Sequence, residues 1–139
     1  MAKAGQTLRV LVADDIGTVR AVVRNLLVSL GVDGTFVYEA ANGAEAIGMI
    51  ESEELDLIIT DWNMPLASGI DVLHAARERS EELPVVFLTS NNHRDEVLSA
   101  VAAGANDYVL KPFVRSQLTA KVSYWLNVAR TRRDAAGSA

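Results

Sequence analysis

The sequence predicts a doubly wound α/β domain, in which helices cover both faces of a five-stranded parallel sheet. Two observations favour this fold class. Five short runs rich in β-branched residues alternate with stretches of helical spacing, and these runs are apolar almost throughout, as strands covered on both faces require. The predicted strands are Leu8–Ala13, Phe36–Tyr38, Leu57–Thr60, Val85–Leu88 and Tyr108–Leu110.

The composition is that of one globular domain. A chain of 139 residues, 50% of them apolar, is long enough for one core and short for two. Acidic residues outnumber basic ones, 18 to 13, and the net charge of -5 argues against a broad nucleic-acid-binding surface. Cysteine is absent, the start MAKAGQT does not resemble a signal peptide, and no apolar run is long enough to span a bilayer. We therefore expect a cytoplasmic protein without membrane insertion.

The first helical stretch has the clearest amphipathic pattern. Its outer face carries Arg20 and Arg24, and Gly31 is placed to end the helix. Apolar residues recur on its inner face at helical spacing, namely Val19, Val22, Val23, Leu26, Leu27 and Leu30.

Capping signals predict where the next helices begin. Asn42 is expected to cap the second helix, with Glu45 three residues later as in a capping box. The third helix should begin near Ser68, and the fourth should run from about His93 to Gly104. We expect His93 and His74 to be surface residues.

The fifth helix follows Pro112 and is expected to pack against the sheet. Its predicted inner face consists of Leu118, Val122, Trp125, Leu126 and Ala129. Residues 131–139, TRRDAAGSA, are expected to fray. The cluster of Arg130, Arg132 and Arg133 is interpreted as a solvated helix end.

Polar side chains follow four of the predicted strands. Asp14 and Asp15 follow the first strand, Asp61 the third, Thr89 the fourth and Lys111 the fifth. In doubly wound sheets, ligands bind outside the carboxyl ends of the strands. Taken singly, each group has a structural explanation. Asp14 and Asp15 could stabilise the N-terminus of the following helix through its dipole, Thr89 could cap the end of its strand, and Lys111 could be a solvated surface charge. Together the four segments predict a functional site.

The chemistry of these residues favours magnesium and phosphoryl transfer. Three carboxylates at one place raise each other's pKa unless a cation neutralises them. Oxygen ligands without histidine or cysteine suit Mg²⁺. A lysine and a hydroxyl could then bind phosphoryl oxygens while one carboxylate attacks phosphorus in line. Asp61 is the best candidate nucleophile because it is the lone carboxylate on the central strand, whereas Asp14 and Asp15 form a pair suited to the metal.

Four motifs, VADD, ITDWNMP, FLTS and DYVLKPF, resemble in order and spacing the receiver domain of two-component response regulators. Within that family, DWNMP and VRNLLVSLG are most similar to the chemotaxis, or CheY-like, single-domain type. The resemblance implies a flavodoxin-like sheet of strand order 2-1-3-4-5. It also implies a receiver domain over residues 8–127, between a flexible N-terminus, residues 1–7, and a helix end with a flexible tail, residues 128–139.

The resemblance implies a Mg²⁺-dependent signalling switch rather than a metabolic enzyme. Asp61 would be phosphorylated by a histidine kinase, or by a small donor such as acetyl phosphate, and would lose the phosphoryl group by self-catalysed hydrolysis. Asp15 and Asp61 would ligate Mg²⁺ directly, Asp14 would act largely through metal-bound water, and the backbone carbonyl of Asn63 would supply another ligand. Lys111 would pair with the phosphoryl group.

Two further residues would transmit the signal in the manner of the family. The hydroxyl of Thr89 would move toward the phosphoryl group, and Tyr108 would swing inward, although a tyrosine at a sheet edge with its hydroxyl in solvent is also explained by packing alone. The surface of the fourth helix, fifth strand and fifth helix would then change and bind a protein target. A phosphatase is a candidate partner, and the protein is expected to be a monomer or a phosphorylation-dependent dimer. The family also has a cis bond at the position of Lys111–Pro112.

Three alternatives to the switch exist, of which the first is closely related to it. A phosphorelay intermediate would pass its phosphoryl group to a histidine phosphotransfer protein. A metabolic aspartyl-phosphate phosphatase is disfavoured, because Asn63 stands where such enzymes usually have a second aspartate. A docking module that has lost phosphorylation is disfavoured by the complete acceptor site. The CheY-like pattern is interrupted at Asn91, often a glutamate, and at Ser90, often an alanine, which leaves the dephosphorylation rate open.

Overall fold

The computed structural model of the protein describes residues 7–90, 94–102 and 104–138. Within these ranges, five parallel strands form one sheet in the order β2-β1-β3-β4-β5, which confirms the predicted fold class and strand order. The strands are β1 Val10–Ala13, β2 Val37–Ala40, β3 Leu57–Asp61, β4 Val85–Ser90 and β5 Asp107–Lys111. The α-helices are α1 Gly17–Ser29, α2 Gly43–Ser52, α3 Gly69–Arg79, α4 Arg94–Ala102 and α5 Arg115–Ser138.

The sheet separates two hydrophobic cores. Side chains alternate along β1, so that Val10 and Val12 face one core and Leu11 and Ala13 face the other. The first core packs against α1 and α5, and the second against α2, α3 and α4. Both faces of the sheet are therefore buried by helices, which explains why the strands are apolar almost throughout.

Helix α1 buries a narrower stripe than its sequence predicts. Val23 and Leu27 are fully buried, but Val22 is 50% exposed. Gly31 adopts a φ of +101°, a conformation that favours glycine, just beyond the end of the helix. The predicted position of the helix end is thus confirmed, while the predicted burial of Val22 is wrong.

The predicted cap of α2 and the predicted start of α3 are confirmed. The side chain of Asn42 accepts a hydrogen bond of 2.8 Å from the backbone N–H of Glu45. Ser68 directly precedes α3, and its backbone N–H donates to the carboxylate of Asp71 at 3.0 Å. His74 is exposed on α3, as expected. The expectations for His93, for the position of Asn91 and for residues 1–6 lie outside the described residues.

The C-terminal segment differs from its prediction. Helix α5 continues to Ser138, where a frayed tail was expected from residue 131 onward. Its arginines are also not a solvated helix end. Arg130 donates to the Leu30 carbonyl at 3.0 Å, Arg132 to the Ser80 hydroxyl at 2.8 Å, and Arg133 to Asp56 at 3.0 Å. The physical reason is that the buried carboxylate of Asp56 and the carbonyl of Leu30 provide hydrogen-bond partners for these cations.

Among the helices that the structure describes, none has the combination of length and apolar character needed to cross a bilayer.

Candidate functional site

Three carboxylates converge at the carboxyl edge of the sheet. Asp14 follows β1 and Asp61 ends β3, and these neighbouring strands pair with Ala13 beside Thr60. Each of Asp14, Asp15 and Asp61 offers one carboxylate oxygen, and these oxygens lie within 4.8 Å of one another. The strand order reverses between β1 and β3, so the cluster lies at the topological switch point, where doubly wound sheets bind ligands.

The three carboxylates differ in their surroundings. Asp14 is fully buried and accepts a hydrogen bond of 2.9 Å from the backbone N–H of Ile16. Asp61 is buried except for a small accessible part of its side chain. Asp15 is exposed and has no hydrogen-bond or ion-pair partner among the described residues. The site is therefore open to solvent on the side of Asp15.

Lys111 joins the cluster from the end of β5. Its Nζ donates a hydrogen bond of 2.7 Å to Oδ2 of Asp14 and lies 3.3 Å from Oδ2 of Asp61. The Lys111–Pro112 peptide bond is cis, as the family resemblance implied. One cation thus faces two of the three carboxylates, which leaves a net negative site.

The electrostatics of this site favour an additional cation. Burial and the neighbouring Asp14 raise the pKa of Asp61, although Lys111 and the backbone of Asn63 oppose the shift. Burial alone would lower the pKa of Lys111, but its hydrogen bond to Asp14 and the charge of Asp61 outweigh that effect and raise it. A divalent cation beside Asp61 would favour its ionised form further.

The donor set fits magnesium. All the candidate side-chain ligands are hard carboxylate oxygens, and one of the three carboxylates is exposed. Mg²⁺ typically takes one or two carboxylates and keeps several waters, which requires an open side of this kind. Asn63, whose backbone carbonyl the resemblance implied as a ligand, is exposed in the loop directly after Asp61.

The loop after β3 is held close to the sheet. The N–H of Trp62 donates to the Leu88 carbonyl at 3.0 Å, and the N–H of Gly69 donates to the Trp62 carbonyl at 2.8 Å. The indole ring of Trp62 meets Phe87 edge to face, with 5.1 Å between the ring centroids. These contacts fix the backbone that carries Asp61.

Thr89 lies on β4 and Tyr108 on β5, and both are outside the carboxylate cluster. Thr89 is buried in β4, and its hydroxyl donates to the Ser90 carbonyl at 3.2 Å. Tyr108 is half-buried beside Phe87 and packs against the core formed with α2, α3 and α4. The structure therefore brings Asp14, Asp15, Asp61 and Lys111 together, and it leaves the switch roles of Thr89 and Tyr108 as predictions.

A polar network beside Tyr108 was not predicted from the sequence. Asp107 accepts hydrogen bonds from Lys121 at 2.8 Å and from the indole N–H of Trp125 at 2.9 Å. Lys121 also donates to the Tyr108 carbonyl at 2.7 Å, and its Nζ lies 4.6 Å from the centre of the Tyr108 ring. Trp125, predicted as core, is half-buried with its polar edge in this network. The sequence signal that could have indicated this network is the four-residue spacing of Lys121 and Trp125, which places both on one face of the helix.

Comparison with known proteins identifies the family. The family model of the response regulator receiver domain matches residues 10–123 of the chain. This chain belongs to that family. Chemotaxis protein CheY of Pseudomonas aeruginosa is 42% identical over 117 residues, which cover 83% of this chain and 93% of that protein. Chemotaxis protein CheY-3 of Vibrio cholerae is 38% identical over 119 residues, covering 84% and 90%. The chain is therefore a CheY-like receiver of two-component signalling.

Solved structures resemble the receiver fold described above. A response regulator receiver domain from Clostridium thermocellum superposes with a TM-score of 0.78 at 27% identity, covering 91% of this chain and 97% of that chain. The receiver domain of a sensor histidine kinase from Pseudomonas aeruginosa superposes with a TM-score of 0.73 at 27% identity, covering 87% and 98%. The latter structure has a magnesium ion coordinated in its active-site cleft.

Proposed function

We propose that this receiver is a phosphorylation-dependent switch, in which Asp61 accepts a phosphoryl group from a histidine kinase, or from acetyl phosphate, with the help of Mg²⁺. One observation carries the proposal. Asp61 is a partly accessible carboxylate that shares its site with two further carboxylates within 4.8 Å and with a lysine at 3.3 Å. That set contains a nucleophile, ligands for a divalent cation and a donor for a phosphoryl oxygen.

The chemical step is an in-line displacement at phosphorus. A carboxylate oxygen of Asp61 forms the new P–O bond while the bond from phosphorus to the donor's imidazole nitrogen, or to the acetate oxygen, breaks. The leaving group takes the electron pair of the broken bond. Asp61 must be ionised for this attack, and the nearby ammonium of Lys111 favours the ionised form.

Asp15 and Asp61 are the residues that would hold Mg²⁺, with Asp14 acting largely through water and the Asn63 carbonyl as a further ligand. When bound, the ion would neutralise charge on the carboxylates and on the transferring phosphoryl group. Lys111 lies 3.3 Å from Asp61, and we expect it to donate to a phosphoryl oxygen after transfer.

The phosphoryl group would alter the surface formed by α4, β5 and α5. Thr89 would exchange its hydrogen bond to the Ser90 carbonyl for one to a phosphoryl oxygen, since a dianion is the stronger acceptor. Tyr108 would move inward into the space released. Because a packed surface has discrete alternative arrangements, this local change would shift the surface from one arrangement to another. The new arrangement would bind a protein target.

A chemotaxis-like role is supported by chemotaxis proteins among the relatives, including two that match this chain over 90% or more of their length. A histidine kinase as donor is supported by membership of the response regulator receiver family. No observation favours the phosphorelay alternative.

Nuclear magnetic resonance with beryllofluoride, a phosphoryl mimic, would test the switch. Addition of beryllofluoride and Mg²⁺ should shift the amide resonances of Asp61 and Lys111 and, through the switch, those of Tyr108 and Lys121. The Asp61→Asn variant should show none of these shifts. Shifts confined to the carboxylate cluster would contradict the proposed propagation, and no shifts at all would contradict the phosphoacceptor site.

A further inference from the structure

The loop between β1 and α1 is tied to the sheet by Arg20. This side chain extends back from α1, and its Nη1 donates a hydrogen bond of 2.6 Å to the backbone carbonyl of Asp14. Its Nε donates at 3.1 Å to Glu39 on β2, so the guanidinium bridges the loop and the neighbouring strand. The N–H of Asp14 donates to the Ala40 carbonyl at 3.0 Å on the same strand. Both polar groups of the Asp14 backbone are thereby fixed.

Asp15 depends on this backbone for its position. It is exposed, and no described side chain or N–H holds its carboxylate. Asp14 before it is tied by Arg20, and Ile16 after it donates its N–H to the carboxylate of Asp14 at 2.9 Å. The backbone of Asp15, and with it the direction of the bond from Cα to Cβ, is therefore set by the two residues that flank it.

We propose that Arg20 is a positioning residue for the metal ligand Asp15, and that Glu39 orients the Arg20 guanidinium for this purpose. This inference rests on the proposed Mg²⁺ site. A ligand that is held in place before the ion arrives loses less conformational entropy on binding, and groups behind the direct ligands commonly change metal affinity by about 10- to 100-fold. The ionic pairing with Glu39 also offsets the charge that Arg20 brings close to a cation site.

Arg24 provides a matched control on the same helix. It lies one turn after Arg20 and pairs with the other oxygen of Glu39 at 3.3 Å. Its remaining hydrogen bonds go to the carbonyls of Val37 and Gly34, away from the carboxylate cluster. Loss of Arg24 therefore removes the same charge and one partner of Glu39, but it leaves the tether to Asp14 intact.

Isothermal titration calorimetry with MgCl₂ tests the inference on the wild type, Arg20→Ala, Arg20→Lys and Arg24→Ala. We expect Arg20→Ala to raise the Kd for Mg²⁺ about tenfold and Arg24→Ala to change it less than about twofold. Arg20→Lys keeps the charge but has no planar fork to bridge two acceptors, and it should give an intermediate Kd. Thermal unfolding of each variant checks that binding is measured on folded protein.

The outcomes separate this inference from the proposed function. If Arg20→Ala binds Mg²⁺ as tightly as the wild type, or more tightly because a positive charge has gone, the positioning role is wrong. Equal weakening by Arg20→Ala and Arg24→Ala would also overturn it, because a general effect on α1 would then be the cause. In an Asp15→Asn background, Arg20→Ala should have no further effect, and a full effect there would contradict the role assigned to Asp15. A wild type that binds no Mg²⁺ would overturn the proposed function itself.

Discussion

Lys111 donates a hydrogen bond of 2.7 Å to Asp14, and the two residues are 97 positions apart in the chain. This contact joins the ends of β1 and β5 across the carboxyl edge of the sheet. Asp14 is fully buried, and its carboxylate accepts hydrogen bonds from this one ammonium and from the N–H of Ile16.

Replacement of Lys111 by methionine should destabilise the metal-free protein. It leaves Asp14 and Asp61 as facing carboxylates without a cation, and we expect the free energy of unfolding at neutral pH to fall by about 2 kcal/mol. The estimate is below that for a fully buried pair because the lysine is partly exposed. Urea denaturation in EDTA measures the change. The deficit should shrink as the pH falls and Asp61, whose pKa is raised by burial and by Asp14, becomes protonated, and a deficit that grows in acid would contradict this explanation.

Asp61→Asn should raise the free energy of unfolding at neutral pH by about 1 kcal/mol, because it removes a partly buried negative charge next to Asp14. This is the usual size of a single stabilising substitution. Burial and Asp14 raise the pKa of Asp61 above its ordinary value of 3.8. The contribution of Asp61 is thus fully present below that value and is lost as the pH rises through the higher folded pKa. The gain should therefore vanish in acid. Urea denaturation across pH checks it, with the exposed Glu51→Gln as the control that should change little.

Asp107→Asn should have the opposite pH dependence. Burial would raise the pKa of Asp107, but hydrogen bonds from Lys121 and Trp125 outweigh it and lower the pKa. The stabilisation is present above the ordinary value of 3.8 and is lost as the pH falls through the lower folded pKa. We expect a loss of about 1 kcal/mol at neutral pH, the usual net value of such hydrogen bonds. A red shift of Trp125 fluorescence should accompany it, and equal loss at all pH values would contradict the ionised network.

Two glycines of α2 should respond in opposite directions to alanine. A Cβ at Gly43 would collide with the Ala67 carbonyl oxygen in the loop that follows Asp61, whereas a Cβ at Gly48 would meet nothing within 4 Å. Gly43→Ala should therefore destabilise the protein by about 2 kcal/mol or more, because backbone must shift. Gly48→Ala should stabilise it by about 0.5–1 kcal/mol through helix propensity. Thermal unfolding compares the two, and similar effects from both would contradict the close approach.

The fold could be predicted because its signals are local. Helical spacing, the Asn42 cap and the glycine at position 31 each depend on a few neighbouring residues, and the structure agrees with them. The apolar character of the strands predicted a sheet covered on both faces. Carboxyl ends of parallel strands meet at one edge, so the convergence of Asp14, Asp61 and Lys111 also followed from the sequence.

What could not be predicted depends on contacts between distant segments. Arg133 reaches Asp56 across 77 positions, and Arg132 reaches Ser80 across 52. No local pattern shows that a basic helix end will find such partners, and solvation was the simpler interpretation. The tether of Arg20 to Glu39 was missed for the same reason, since its partner lies on another element.

Intact-mass spectrometry after incubation with acetyl phosphate and Mg²⁺ most directly tests whether Asp61 is the phosphoacceptor. The wild type should gain the mass of one phosphoryl group, while Asp61→Asn and the wild type in EDTA should gain none. A known receiver treated in parallel shows that the donor is competent. Phosphorylation of Asp61→Asn to the same extent as the wild type, or no phosphorylation of the wild type beside a phosphorylated control, would contradict the proposed switch.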